Sequence, residues 1–182
     1  MFDVPLTNLE QAKNFFIAME GSPYEMAREF PQRYDEYRSL GVAKEIEISW
    51  REELLAKHFS HMKESQGSDQ LWIIHSNMNR LYEDLKTDKA LMTMLEATQY
   101  IQEKVPMKHR VMVAETINGR TARDARRGLI YMAFDSKNIS AAKAFIELSM
   151  HFSTYDGQDI YGIERSRKAS QLYKDIQLEL GI

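Results

Sequence analysis

Three groups of side chains in this chain have the types and spacing for chemistry or for ligand recognition. The stretch HFSHMKE places His58, His61 and Glu64 at successive i, i+3 steps of a helix. Imidazoles and a carboxylate on one helix face can share a metal ion. A competent site needs ligands from a second helix, and Glu147 with His151 offers an i, i+4 pair. Neither pair has the Glu-x-x-His order of the helical di-metal carboxylate proteins. A half-buried helical histidine is the competing reading, so the expectation is no metal and no cofactor, with His58, His61 and Glu64 as the fallback ligand set. Zero cysteines exclude thiolate chemistry and disulfides, and no Gly-x-Ser-x-Gly elbow is present. The expectation is a protein without catalytic activity.

The second group is basic. From Lys108 to Arg127 there are six Lys/Arg residues and His109, against only Glu115 and Asp124. On a wheel of 100° per residue, Ala122, Ala125, Leu129, Met132 and Ala133 fall on one face. Arg120, Arg123, Arg127 and Tyr131 fall on the opposite one. Three aligned guanidiniums suit phosphates or the carboxylates of a partner subunit. A solvated face with local ion pairs, Asp124 being a ready partner, is the alternative.

The third group lies in EGSPYEMAREFPQRYDEYRSLG, Glu20 to Gly41. A supporting helix, a short second helix, a tight corner and a third helix over residues 8–41 have the layout of a helix-turn-helix. In that reading Ala27 is the small residue that lets the third helix approach, and Tyr37 locks the third helix down. Gln32, Arg33, Glu36 and Arg38 are then partly exposed, and glutamine and arginine are side chains that make bidentate base contacts. Phe30-Pro31 stands where such corners usually hold glycine, and Asp35 and Glu36 repel phosphates. An ordinary helical corner with tyrosines in the core is the alternative.

The elements that must position these groups are written in capping signals and apolar spacing. TNLE, Thr7 to Glu10, fits a capping box, and Leu9, Ala12, Phe16 and Met19 follow at helical spacing. Gly21 fits the residue that ends this helix. Ser22, Pro23 and Glu25 start the second helix, and Pro31 ends it and opens a third through Tyr34, Tyr37 and Leu40. A long helix spans about Ala43 to Glu64 with Ile46, Trp50, Leu54, Leu55, Phe59 and Met62 on one stripe. After the loop Ser65 to Asp69, Leu71, Ile74, Met78, Leu81, Tyr82 and Leu85 mark the next helix. Thr87 resets the chain for a helix carrying Leu91, Met94, Leu95, Thr98 and Ile101. Further helices are expected near 108–117, 121–135, 140–154 and 164–180.

The reading is an all-α fold of about eight amphipathic helices, with an N-terminal helix-turn-helix followed by a helical bundle. Residues 1–64 form the N-terminal region, 68–156 the bundle and oligomerisation region, and 157–182 a C-terminal helix. Eight glycines and four prolines in 182 residues fit long helices. At 43% apolar residues there is material for a core, including most of the eleven methionines. No apolar run reaches a membrane span and the N-terminus lacks a signal-peptide pattern, so the expectation is a cytoplasmic protein without a membrane partner. A net charge of −3 does not favour DNA binding by global charge, so such binding needs a local patch or an oligomer that concentrates one.

This organisation resembles that of phage terminase small subunits, which recognise viral DNA to start packaging. ARRGLIYMAFDSKNISAAKAFIEL, Ala125 to Leu148, is similar to the alternating small and apolar helical positions of such phage proteins. The resemblance implies a ring-shaped homo-oligomer in the host cytoplasm and double-stranded DNA bound through Gln32, Arg33 and Arg38. It also implies a C-terminal segment from Arg165 that contacts the large motor subunit. The alternatives are a transcription regulator, a helical adaptor that binds only protein, and a helical metalloprotein.

Overall fold

The computed structural model describes residues 5–104, 128–136, 138–151, 171 and 174. The regular secondary structure of these residues is helical, with no strand among them. Their helices are α1 (Leu9–Ala18), α2 (Pro23–Glu29), α3 (Pro31–Ser39), α4 (Lys44–Glu64), α5 (Ser68–Leu85), α6 (Asp88–Lys104), α7 (128–135) and α8 (Ile139–His151). The all-α expectation holds. The helices expected near 108–117 and 164–180, and residues 121–127, lie outside the described residues, apart from 171 and 174.

The chain forms two compact units, Met1–Lys57 and His58–Ile182. The division falls inside α4. Phe59 in its last turns packs edge-on to Tyr100 of α6, 6.4 Å between ring centres. The loop after α4 is shorter than the sequence reading: α5 starts at Ser68 on Gly67 as N-cap.

In the N-terminal unit the caps differ from the sequence expectation by one residue. The N-cap of α1 is Asn8, not Thr7: its Oδ1 accepts from the Gln11 N–H at 3.0 Å. The Gln11 Oε1 reaches back to accept from the Thr7 N–H at 2.7 Å and the Thr7 hydroxyl at 3.0 Å. The capping box therefore uses Gln11 as its return arm, in place of Glu10. On the buried face Phe15 takes the place expected for Leu9, which is 49% exposed.

The stop of α1 is a Schellman turn. Gly21 N–H donates to the Phe16 carbonyl at 2.8 Å and Glu20 N–H to the Ile17 carbonyl at 3.1 Å. The left-handed C′ residue is Glu20 (φ 54°), and Gly21 follows at φ 62°. Two consecutive left-handed residues turn the chain sharply enough for Ser22 to begin α2 at once. There the Ser22 hydroxyl caps the Glu25 N–H at 3.2 Å, with Pro23 in the first turn, as the spacing predicts. One residue, Phe30, serves as C-cap of α2 and N-cap of α3. Pro31 supplies no N–H at that junction, so it stops one helix and opens the next.

The core of this unit holds Leu6, Ala12, Phe15, Phe16, Met26, Tyr37 and Trp50. Its aromatic rings interlock. Phe16 stacks on Tyr37 at 6.1 Å and tilts against Trp50 at 5.6 Å, while Phe15 meets Phe30 edge-on at 6.2 Å. Such pairs add about 0.5–1.5 kcal/mol each beyond their area burial.

In the second unit α5 packs on α6 and α6 on α8. Helix α5 is buried on most of its circumference, leaving Ile73, Asn77, Arg80 and Asp84 as an exposed stripe. Leu71, Ile74, Met78, Leu81, Tyr82 and Leu85 are buried as the spacing predicts. Thr87 caps α6, its hydroxyl accepting from the Ala90 N–H at 3.1 Å. Met94, Thr98 and Ile101 of that helix are fully buried, as is Phe145 of α8.

Gly21 has both a left-handed backbone and the Phe16 ring 3.1 Å from where a Cβ would stand. Gly21→Ala is expected to cost about 1–2 kcal/mol, the left-handed penalty for an L-residue. A denaturant titration read by far-ultraviolet circular dichroism measures it.

Candidate functional site

The residues expected to read DNA sit on α3, and the structure treats them differently from one another. Gln32 and Arg38 are exposed. Arg33 is half-buried, and its Nη1 donates to both oxygens of Glu36 at 2.5 and 2.6 Å. Glu36 in turn accepts the Leu6 N–H at 2.9 Å. The Arg33 guanidinium, then the Leu6 amide, hold the Glu36 carboxyl below its ordinary range. A residue read from the sequence as a phosphate repellent is therefore a clasp between α3 and the segment before α1. Arg33 is the charged half of that clasp.

Other cations of this unit are similarly engaged. Arg28 pairs with Glu25 at 2.6 Å and Glu29 at 2.7 Å and lies 5.4 Å from the centre of the Tyr24 ring. Lys13 pairs with Glu53 at 2.6 Å. Arg51 covers the Phe16 ring at 5.0 Å. Carboxylates outnumber cationic side chains between Met1 and Lys57. Ala27, expected to face α3, is exposed; Met26 is the buried contact of α2, because the corner at Phe30 sets the helix rotation one residue away. Tyr37 is buried as expected.

A cleft of about 300 Å³ opens beside α3. Its buried lining is Phe16, Met26 and Tyr37; Tyr34 and Val42 are half-buried, and Arg38 is exposed. Glu47 of α4 also lines it and accepts the Tyr37 hydroxyl at 2.5 Å. Burial first, then the bond to Glu47, pushes the Tyr37 hydroxyl far above the ordinary phenol range, so it remains a proton donor. Among the described residues no carboxylate pairs with Arg38, which distinguishes it from Arg28 and Arg33.

No family model, curated protein or solved structure matches the chain. The chemistry of these residues therefore carries the functional argument by itself.

The second unit was expected to hold the basic face. Arg120, Arg123 and Arg127 lie outside the described residues. Of the same wheel, Leu129, Met132 and Ala133 are fully buried and Tyr131 is 49% exposed. His58 is half-buried, and His61 and Glu64 are exposed on the last turns of α4. Among the described residues no group of three or more histidines and carboxylates is placed to hold a metal ion. Glu147 pairs with Lys143 at 3.6 Å. No described helix is long and apolar enough to cross a membrane.

One titratable residue that the spacing passed over is fully buried. His75 on α5 has its Nε2 3.2 Å from the Thr98 hydroxyl of α6, and its Nδ1 has no hydrogen-bond partner among the described residues. Burial pushes the imidazole down to about 4. Nearby on the same helix, the Tyr82 hydroxyl donates to Asp135 at 2.8 Å, tying α5 to the end of α7. His75 follows Ile74 directly and lies seven residues before Tyr82, so the widening of the buried arc was the signal that would have found it.

Two outcomes follow. Replacing Glu36 with alanine is expected to speed hydrogen exchange of the Leu6 amide by about fivefold, matching loss of a bond worth ~1 kcal/mol. Unfolded His75 takes up its proton near 6.5, while the folded residue stays neutral to about 4. Stability from this residue is therefore fully present above pH 6.5 and lost as pH falls toward 4, on the order of a few kcal/mol in all. Urea midpoints across that range measure the loss, and a His75→Asn variant is expected to show a shallower slope.

Proposed function

We propose that this chain is a non-enzymatic, self-associating helical binding protein whose N-terminal unit docks protein rather than duplex DNA. The observation that carries the reading is the internal use of charge in that unit. Arg28, Arg33 and Lys13 are each paired to a carboxylate. Phosphate recognition draws on cations that release counterions on binding, and the carboxylates held against these side chains repel a phosphate. What the unit does present is aromatic: Tyr24 is 68% exposed and Phe30 37%. Exposed aromatic side chains beside arginine are the usual anchors of protein interfaces.

Self-association is supported by the second unit. Tyr131 and Phe134, at i and i+3 of α7, are 49% and 59% exposed on one helix face. Two large rings side by side in water are costly for a monomer and are covered when copies meet.

Duplex DNA is the second reading, favoured by the exposure of Gln32 and Arg38 together on α3. In that case the terminase-like arrangement applies: a ring of copies multiplies a weak contact, and a C-terminal segment meets the motor subunit. A transcription regulator would use the same two residues as a dimer.

Light scattering in solution, with and without duplex DNA at low salt, tests both. The expected mass is a multiple of 21.3 kDa that falls toward one copy in Tyr131→Glu/Phe134→Glu. DNA is expected to add no mass. A strict monomer sinks self-association. DNA retained by the parent chain and released by Gln32→Ala/Arg38→Ala replaces protein docking with the DNA reading.

A further inference from the structure

We infer that the exposed face of α7 pairs with the same face of a second copy, the two helices running antiparallel about a two-fold axis beside Tyr131. This rests on the reading of the chain as self-associating, and it names the surface and the geometry that join the copies. The rotation of α7 is fixed from within. Leu129, Met132 and Ala133 are fully buried on its inner side, and Asp135, its last residue, accepts the Tyr82 hydroxyl of α5 at 2.8 Å. That rotation leaves Tyr131, Phe134 and Asp135 in water, two large rings next to an acid.

The order of charge along this stretch identifies the occupant. Asp135 stands four residues after Tyr131, and Arg127, outside the described residues, stands four before it in the sequence. The sequence thus reads cation, rings, anion, with Tyr131 at the midpoint. Such an order is complementary to itself only when the second copy runs in the opposite direction. The two-fold then sets each Arg127 against the partner's Asp135 and closes the rings between the two charge pairs. A parallel copy would oppose arginine to arginine and aspartate to aspartate. Antiparallel packing also relieves Asp135, a carboxylate at the negative C-terminal end of its own helix, by turning it toward the opposite end of the partner's helix.

The test is the mass of the full chain in solution at about 100 μM and low salt, a concentration that populates weak pairs. Arg127→Glu alone and Asp135→Lys alone each place like charges at both contacts, and each is expected to weaken association at least about tenfold. An equimolar mixture of the two variants restores opposite charges at both contacts and is expected to recover the parent's association. Tyr82→Phe removes the bond to Asp135 and leaves its charge, so it is expected to associate like the parent. Unchanged association in the single variants overturns the pairing, as does a mixture that associates no better than its components. A loss in Tyr82→Phe as large as in Asp135→Lys also overturns it, by assigning the effect to that bond instead of the charge. A monomeric parent chain sinks the self-association reading together with the pairing, whereas an associating parent whose variants behave alike sinks the pairing alone.

Discussion

The ring of Phe16 is the constraint on which the N-terminal unit depends. It is fully buried, stacks on Tyr37 of α3, tilts against Trp50 of α4 and carries the Arg51 guanidinium over its face. It also lies against the backbone of Gly21, so close that only a residue without a side chain fits there unstrained. One side chain thus couples the end of α1, the turn into α2, and the positions of α3 and α4. The cleft exists because these elements meet around the same ring, which supplies part of its lining.

Charge in this unit does structural work before it does anything else. Glu36 joins Arg33 to the Leu6 backbone, and Glu47 holds the Tyr37 hydroxyl. A carboxylate and a guanidinium that neutralise each other at half-buried positions are worth more to the fold than to a distant ligand. That is why two arginines only five residues apart on α3 have different standing. Arg33 is enclosed by its clasp, whereas Arg38 is exposed in the last turn of α3, where a helix C-terminus favours a cation.

The second unit is organised around α5, which is buried on most sides and so has to place polar groups inside. His75 shares a hydrogen bond with Thr98, and Tyr82 reaches Asp135. These contacts link α5 to α6 and α7 with direction that apolar packing lacks. The cost is a neutral imidazole that acid can disrupt.

Helix type and most helix ends were legible from local rules, because caps and prolines act within a turn of the residues that carry them. Ser22, Pro23 and Pro31 do what their spacing announces, and the stripes of α4 and α5 are buried as their periodicity requires, save Ile46, which is half-buried. Where competing caps stand side by side, local rules stop one residue short: Asn8 displaced Thr7, and Glu20 took the left-handed position assigned to Gly21. The candidate site was legible only in part. Gln32 and Arg38 are exposed as their place on α3 suggested, but nothing in the sequence separates Arg33 from Arg38 or marks Glu47 as the partner of Tyr37. By itself the sequence determined an all-helical chain, its corner at Pro31 and the apolar faces to be hidden. Only the tertiary structure decided which charges are already spent, because pairing depends on residues such as Leu6 and Glu36, thirty positions apart, being brought within hydrogen-bond distance.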